Sequence, residues 1–287
     1  MGGSERWSAQ RRGLLYGLLG VAGFSVTLPA TRLAVAELPP LFVGLGRALL
    51  AAALAALLLA LLRPPRPTAR QWRGLVIVAA GVILGFPLLS AWAMQWLPAN
   101  HGAVWNGLLP LATALAAMLR AGERPAAAFW RYSVLGSAIV VGYALGSGDG
   151  RLHPADLLML GAVAAAALGY AEGGRLAREL GGWQVICWAL LLAAPFLAVP
   201  VAWHWPAGTA SWAAWAGFAY VGVVSMFLAF FAWYRGLALG GIARVGQVQL
   251  LQPFLTFLAS ALLLGEAVTP LTLAVALAVV GCVAATR

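Results

Sequence analysis

The chain has 287 residues, 63% of them hydrophobic and 9% charged, with a formal net charge of +10 and a mean hydropathy of +0.90. That balance excludes a soluble globular core, which would need far more polar surface. Apolar runs of about 18 residues or more recur along the chain, each able to cross a hydrocarbon core of about 30 Å. The basic residues are all arginine and sit at the ends of these runs, which points to orientation in a bilayer rather than to nucleic acid.

Residues 1–12 are polar and carry Arg6, Arg11 and Arg12. The first predicted membrane helix covers 13–31. It has a signal-peptide-like basic flank, but a similar segment recurs at 156–174, deep in the chain, so it is expected to be retained. The second helix, 40–62, carries Arg47 about two turns in; a basic, proline-bearing loop with Arg63, Arg66, Arg70 and Arg73 follows. Further helices are predicted at 74–96, 101–119 and 131–147. Turn formers and charges cluster at 148–155, the one stretch that reads as a linker. Beyond it come runs at 156–174, 183–203, 213–235, 244–264 and 268–286. The expected fold is therefore all-α: ten transmembrane helices in two five-helix halves, 1–147 and 156–287.

The halves share landmarks. Pro110 and Pro253, Asn106 and Gln249, Glu123 and Glu266, and Arg32 and Arg175 are each 143 residues apart, a self-similarity that marks an internal repeat. Each proline lacks an N–H and should leave the carbonyl four residues earlier without its helical partner. In both halves that carbonyl belongs to the residue bearing a side-chain amide, Asn106 or Gln249. With the N-terminus on one side, fifteen arginines fall on that side, and only Arg151, with Arg32 at the membrane edge, on the other. The arginine-rich side is expected to be cytoplasmic, with both termini inside. Five crossings per half then invert the second half relative to the first, an arrangement common in secondary transporters.

Polar residues at membrane depth are the candidates for chemistry. Asn106, Gln249 and Gln252 should face the bundle or water, because a buried amide is costly unless bonded. They read either as hydrogen-bonding glue between helices or as a midplane site beside two broken helices. Trp92, Trp105, Trp188 and Trp233 lie inside runs and either pack or line a cavity, whereas Trp72, Trp96, Trp130, Trp183, Trp203, Trp205 and Trp212 read as interfacial belts. Arg47 is too deep for an easy charge, and ionisable residues within spans are functional candidates. Glu172 is expected to pair with Arg175, and Glu123 and Glu266 to cap helices. His101, His153 and His204 show no metal-ligand spacing, so neither metal nor cofactor is expected. Cys187 and Cys282 read as buried thiols. No catalytic motif is present, which argues against an enzyme.

Two five-span halves, each closing with Pro-x(11)-Gly-Glu within Asn100 to Pro125 and Gly240 to Pro270, resemble the drug/metabolite transporter superfamily, EamA type. The charge-poor, aromatic spans look most like its bacterial aromatic amino-acid exporters. The resemblance implies a bacterial inner-membrane protein that exports aromatic and other neutral amino acids by alternating access. In that reading the substrate contacts are Trp105, Asn106, Gln249, Gln252, Trp92, Phe86, Phe231 and Tyr234, with Pro110 and Pro253 as helix breaks, and the partners are a small-molecule substrate and the bilayer. The alternative, a proton-coupled multidrug antiporter, needs a titratable group in the path, for which Glu172 is the only candidate; a membrane-embedded enzyme is the remaining class.

Overall fold

The computed structural model describes residues 3–122, 131–132, 134–136, 138–139, 142–143 and 153–284, and among these it is helical with no β-strand. Among the described residues, eight helices are long and apolar enough to cross a membrane: Ala9–Val35, Pro40–Leu62, Ala69–Ala93, His101–Ala121, Pro154–Leu180, Gly182–Trp203, Trp212–Gly240 and Ile242–Leu264. A shorter apolar helix, Pro270–Ala284, stands where the last crossing is expected. Within the expected helix at 131–147 the described residues, 131–132, 134–136, 138–139 and 142–143, are helical, while most of the linker at 148–155 and Glu123 lie outside the described residues. The molecule is a multi-pass membrane protein.

Local sequence explains where the helices begin. The Thr68 hydroxyl accepts the Gln71 N–H while the Gln71 side chain accepts the Thr68 N–H, a reciprocal cap that satisfies two orphan donors. Ser211 caps the Trp212 helix. Glycines then set how closely the helices approach. A Cβ on Gly13 would lie 2.6 Å from the Gly240 nitrogen, and one on Gly236 would lie 2.7 Å from the Gly17 nitrogen. The glycines at the start of the chain thus serve contact within the chain, against Ala229–Gly240, in the small-residue mode of membrane helices.

Three departures from regular helix concern the interior. The first span breaks at Val26 between Gly3–Ser25 and Thr27–Val35. Two spans widen into π-helix, at Ala79–Gly85 and Tyr220–Leu228, a distortion often found at functional sites. Two more are interrupted as the prolines predict: Ala99–Asn106 turns at Gly107–Leu108 into Leu109–Ala121, and Ile242–Gly246 passes through the 3-10 segment Gln247–Leu251 into Gln252–Leu264. Pro110 and Pro253 sit in the first turn of the second piece, where a missing N–H costs nothing. The Gln249 carbonyl departs from the sequence expectation: it is not free, because the tighter turn brings it the Gln252 N–H. Both interrupted spans end on a left-handed glycine, Gly122 (φ 68°) and Gly265 (φ 65°).

Candidate functional site

The broken first span holds the centre together. Its kink leaves carbonyls that later helices complete: Thr256 donates to the Ser25 carbonyl at 2.8 Å and Tyr220 to the Gly23 carbonyl at 3.0 Å. Thr27 and Ser225, 198 residues apart in sequence, share a 2.7 Å hydroxyl–hydroxyl hydrogen bond. Beside this junction lies a cavity lined by Phe24, Thr27, Arg47, Val82 and Phe86 from the first part of the chain, and by Ala166, Tyr170, Ser225, Met226, Phe230 and Gln252 from the later part. Val82, Ser225 and Met226 come from the two π segments. The space open to the centres of water-sized molecules is about 20 Å³, enough for about one water. The arrangement is contracted, and a metabolite requires it to widen.

The walls are aromatic, with three polar features. Phe24 meets Phe230 edge-on at 4.9 Å and stacks on Tyr170 at 6.1 Å; Tyr170 and Trp233 meet at 5.4 Å. The polar features are the Thr27–Ser225 pair, the Gln252 amide and the Arg47 guanidinium. Gln252 is 3% exposed with its Oε1 unpartnered, and Arg47 is 1% exposed with its Nε unpartnered. No Asp or Glu lines the cavity among the described residues.

Of the residues singled out from sequence, Arg47, Phe86 and Gln252 line this cavity. Asn106 and Gln249 sit at the two interruptions, buried, with the Asn106 Oδ1 and both Gln249 amide atoms unpartnered. The helix Ala99–Asn106 packs on Gln252–Leu264, and the Pro253 ring faces Val104 and Gly107 across a narrow apolar gap. Trp105 donates its indole N–H to Asp156 at 2.9 Å and does not reach the cavity lining. Trp92 is half-buried elsewhere on its helix. Phe231 lines an outer groove with Tyr16, Leu58, Trp183 and Arg235. Tyr234 is buried and braces the bundle through a 3.2 Å bond to the Gly169 carbonyl. Sequence reading did not place Phe24, Thr27, Tyr170, Ser225 and Phe230 at a site. Hydroxyls at depth in apolar runs were a usable signal for Thr27 and Ser225; the aromatic residues gave none, since rings inside apolar runs are usually packing.

Charged clusters lie away from the cavity. Glu172 is 1% exposed and accepts from Arg175 at 2.7 Å, as its spacing predicts, and also from Arg120 at 3.1 Å. Arg175 continues to Glu179, which accepts from Gln71. Elsewhere, Asp156 gathers His101 (2.7 Å), Trp105 and the His153 backbone N–H. Glu266 acts as a cap, but of a different helix from the one that follows it: it accepts the Ala99 N–H at 3.0 Å and lies 3.6 Å from Arg32. In the loop before Pro40, Glu37 accepts from the Ser211 hydroxyl and N–H, bonds that hold its carboxyl below the usual range. Among the described residues no group of His, Cys, Asp and Glu could hold a metal.

Comparison with known proteins agrees with this architecture. One family model, the EamA-like transporter family, matches the chain twice, over residues 11–145 and 153–287. A curated relative from Bacillus subtilis (strain 168), named uncharacterized transporter YdeK, is 47% identical over 278 residues, covering 96% of each chain. A solved crystal structure of a protein 19% identical superposes with a TM-score of 0.70 over 96% of this chain and 97% of that one, a likeness of fold. By the double match and the near full-length relative, this chain belongs to the EamA-like transporter family, membrane transporters of small solutes.

Proposed function

We propose that this protein exports small neutral metabolites, foremost amino acids with aromatic and other uncharged side chains, by alternating access and without proton coupling. The observation that carries the reading is the central cavity, lined by both ends of the chain and walled by aromatic rings around a few polar atoms. Ring faces attract an ammonium group, and Gln252 offers an amide to the rest of the solute. The chain crosses the membrane ten times as two inverted halves, 1–147 and 156–287, with both termini cytoplasmic. The repeated interruptions, the paired π segments and the two family matches support that arrangement. As the cavity widens, Asn106, Gln249 and Trp105 join its lining, and the breaks at Pro110 and Pro253 take up the bending. Proton coupling needs a carboxylate in the path, and among the described residues the cavity lining holds none; Glu172 is engaged by Arg120 and Arg175 instead.

Counterflow in proteoliposomes tests the reading, with a panel of labelled amino acids and one quaternary ammonium drug. Exchange of neutral amino acids that is indifferent to a pH gradient and to Glu172→Gln is expected. Exchange of the drug alone, or a strict requirement for the gradient, overturns it.

A further inference from the structure

We propose that Arg47 selects solutes carrying a carboxylate and excludes organic cations; the proposal rests on the reading that the central cavity is the transport path. Arg47 lies in the second span, seven residues from its start at Pro40, or about 10 Å of helix rise into the membrane. It is 1% exposed and lines the cavity with Phe24, Tyr170, Phe230 and Gln252. Its Nε has no hydrogen-bond partner.

The chain offers this cation no counter-charge among the described side chains. Glu37 is held by Ser211, Asp156 by His101 and Trp105, Glu172 by Arg120 and Arg175, Glu179 by Arg175 and Gln71, and Glu266 by Arg32 and the Ala99 N–H. An uncompensated buried charge is among the most costly features a membrane protein can carry. A guanidinium fork is complementary to a carboxylate, which it binds through two parallel hydrogen bonds. A carboxylate entering the cavity supplies the missing charge, while an entering ammonium without one meets a like charge in a low-dielectric site. For an amino acid, the carboxylate goes to Arg47 and the ammonium to the rings of Phe24, Tyr170 and Phe230. The 47% identical relative is named only as a transporter, so this specificity is not implied by it.

The test uses four probes of one shape on the purified protein, read as ligand-induced shifts in Tm across a concentration series. They are phenylalanine, 3-phenylpropionate with the carboxylate alone, phenethylamine with the ammonium alone, and phenylalaninamide. The two acids are expected to bind at least tenfold more tightly than the amine and the amide, as a lost charge-assisted hydrogen bond implies. Arg47→Met should erase that preference, and Arg47→Lys should keep part of it. Without ligand, Arg47→Met should unfold at the same or a higher temperature, because it removes an unpaired buried charge; a clearly lower Tm would show that Arg47 is held by the protein itself and would overturn the proposal. Equal binding of the amide and the acid, an undiminished preference in Arg47→Met, or no shift with either acid also overturns it. Tight, Arg47-dependent binding of 3-phenylpropionate with none of phenylalanine leaves this proposal standing and removes the amino-acid reading. If neither acid binds, counterflow of the amino-acid panel judges that reading by itself.

Discussion

The two interrupted helices, Ala99–Ala121 and Ile242–Leu264, are built on one plan and differ in chemistry. Each has a buried amide before its break, Asn106 or Gln249, a proline at the start of its second piece, and a left-handed glycine at its end. The ψ angles of those glycines, 17° and 18°, differ by one degree. Yet the residue before Pro253 is Gln252, which reaches the central cavity, while the residue before Pro110 is Leu109, buried in the apolar core. The second spans of the two halves differ in the same way: Arg47 lines the cavity, and Leu190, 143 residues on, is wholly buried among apolar neighbours. Backbone landmarks recur because they solve a geometric problem common to both halves. The polar side chains that line the cavity do not recur: Gln252 and Arg47 have Leu109 and Leu190 at the corresponding positions, because packing gives only one member of each pair a place at the cavity.

That contrast can be broken by exchange. The largest effect is expected from Leu109→Gln, which places an amide in the apolar core: a loss of about 1–3 kcal/mol, measured by thermal unfolding in detergent. The converse, Gln252→Leu, should leave stability unchanged or higher and slow amino-acid counterflow by about twofold to tenfold, the worth of one neutral hydrogen bond. Gly122→Ala and Gly265→Ala sharpen the shared part of the plan. A Cβ at either meets nothing within 4 Å, so only backbone strain remains, about 1–2 kcal/mol and equal in the two; unequal losses would show that the ends are not equivalent. Glu266→Ala removes the cap on the Ala99 N–H and the contact with Arg32, and should lower stability by about 1 kcal/mol. The smallest effects are expected from Pro110→Ala and Pro253→Ala, each within about 1 kcal/mol, since both rings occupy first-turn positions that need no donor. A several-fold larger loss at either would mean that the proline, and not the surrounding packing, holds the break open.

Much of the architecture was legible in the residues. The 40–62 run coincides with the helix Pro40–Leu62, and the 183–203 and 244–264 runs fall within a residue or two of helices Gly182–Trp203 and Ile242–Leu264. The interruptions at Pro110 and Pro253 are where the prolines place them. Burial at membrane depth was also legible for Asn106, Gln249 and Gln252. Which of these polar groups meet was not. Trp105 lies next to Asn106 in sequence but donates to Asp156, a carboxylate 51 residues away whose position on the helix Pro154–Leu180 depends on packing. The Gln249 carbonyl, expected free, is taken by the Gln252 N–H, because the backbone relieves a missing bond by tightening to an i+3 turn.

The sequence by itself determined that this chain lives in a bilayer and where two of its helices break. Those properties follow from local hydrophobicity, from proline's missing N–H and from glycine's tolerance of positive φ. Only the tertiary structure decided that Phe24, Thr27, Arg47, Phe86, Tyr170, Ser225, Phe230 and Gln252 surround one cavity. A hydropathy pattern says that a residue is buried in the membrane but not which neighbour it faces. Helix rotation and closeness are set by glycine contacts such as Gly13 on Gly240 and by hydrogen bonds such as Thr27 to Ser225, and these join residues about two hundred positions apart.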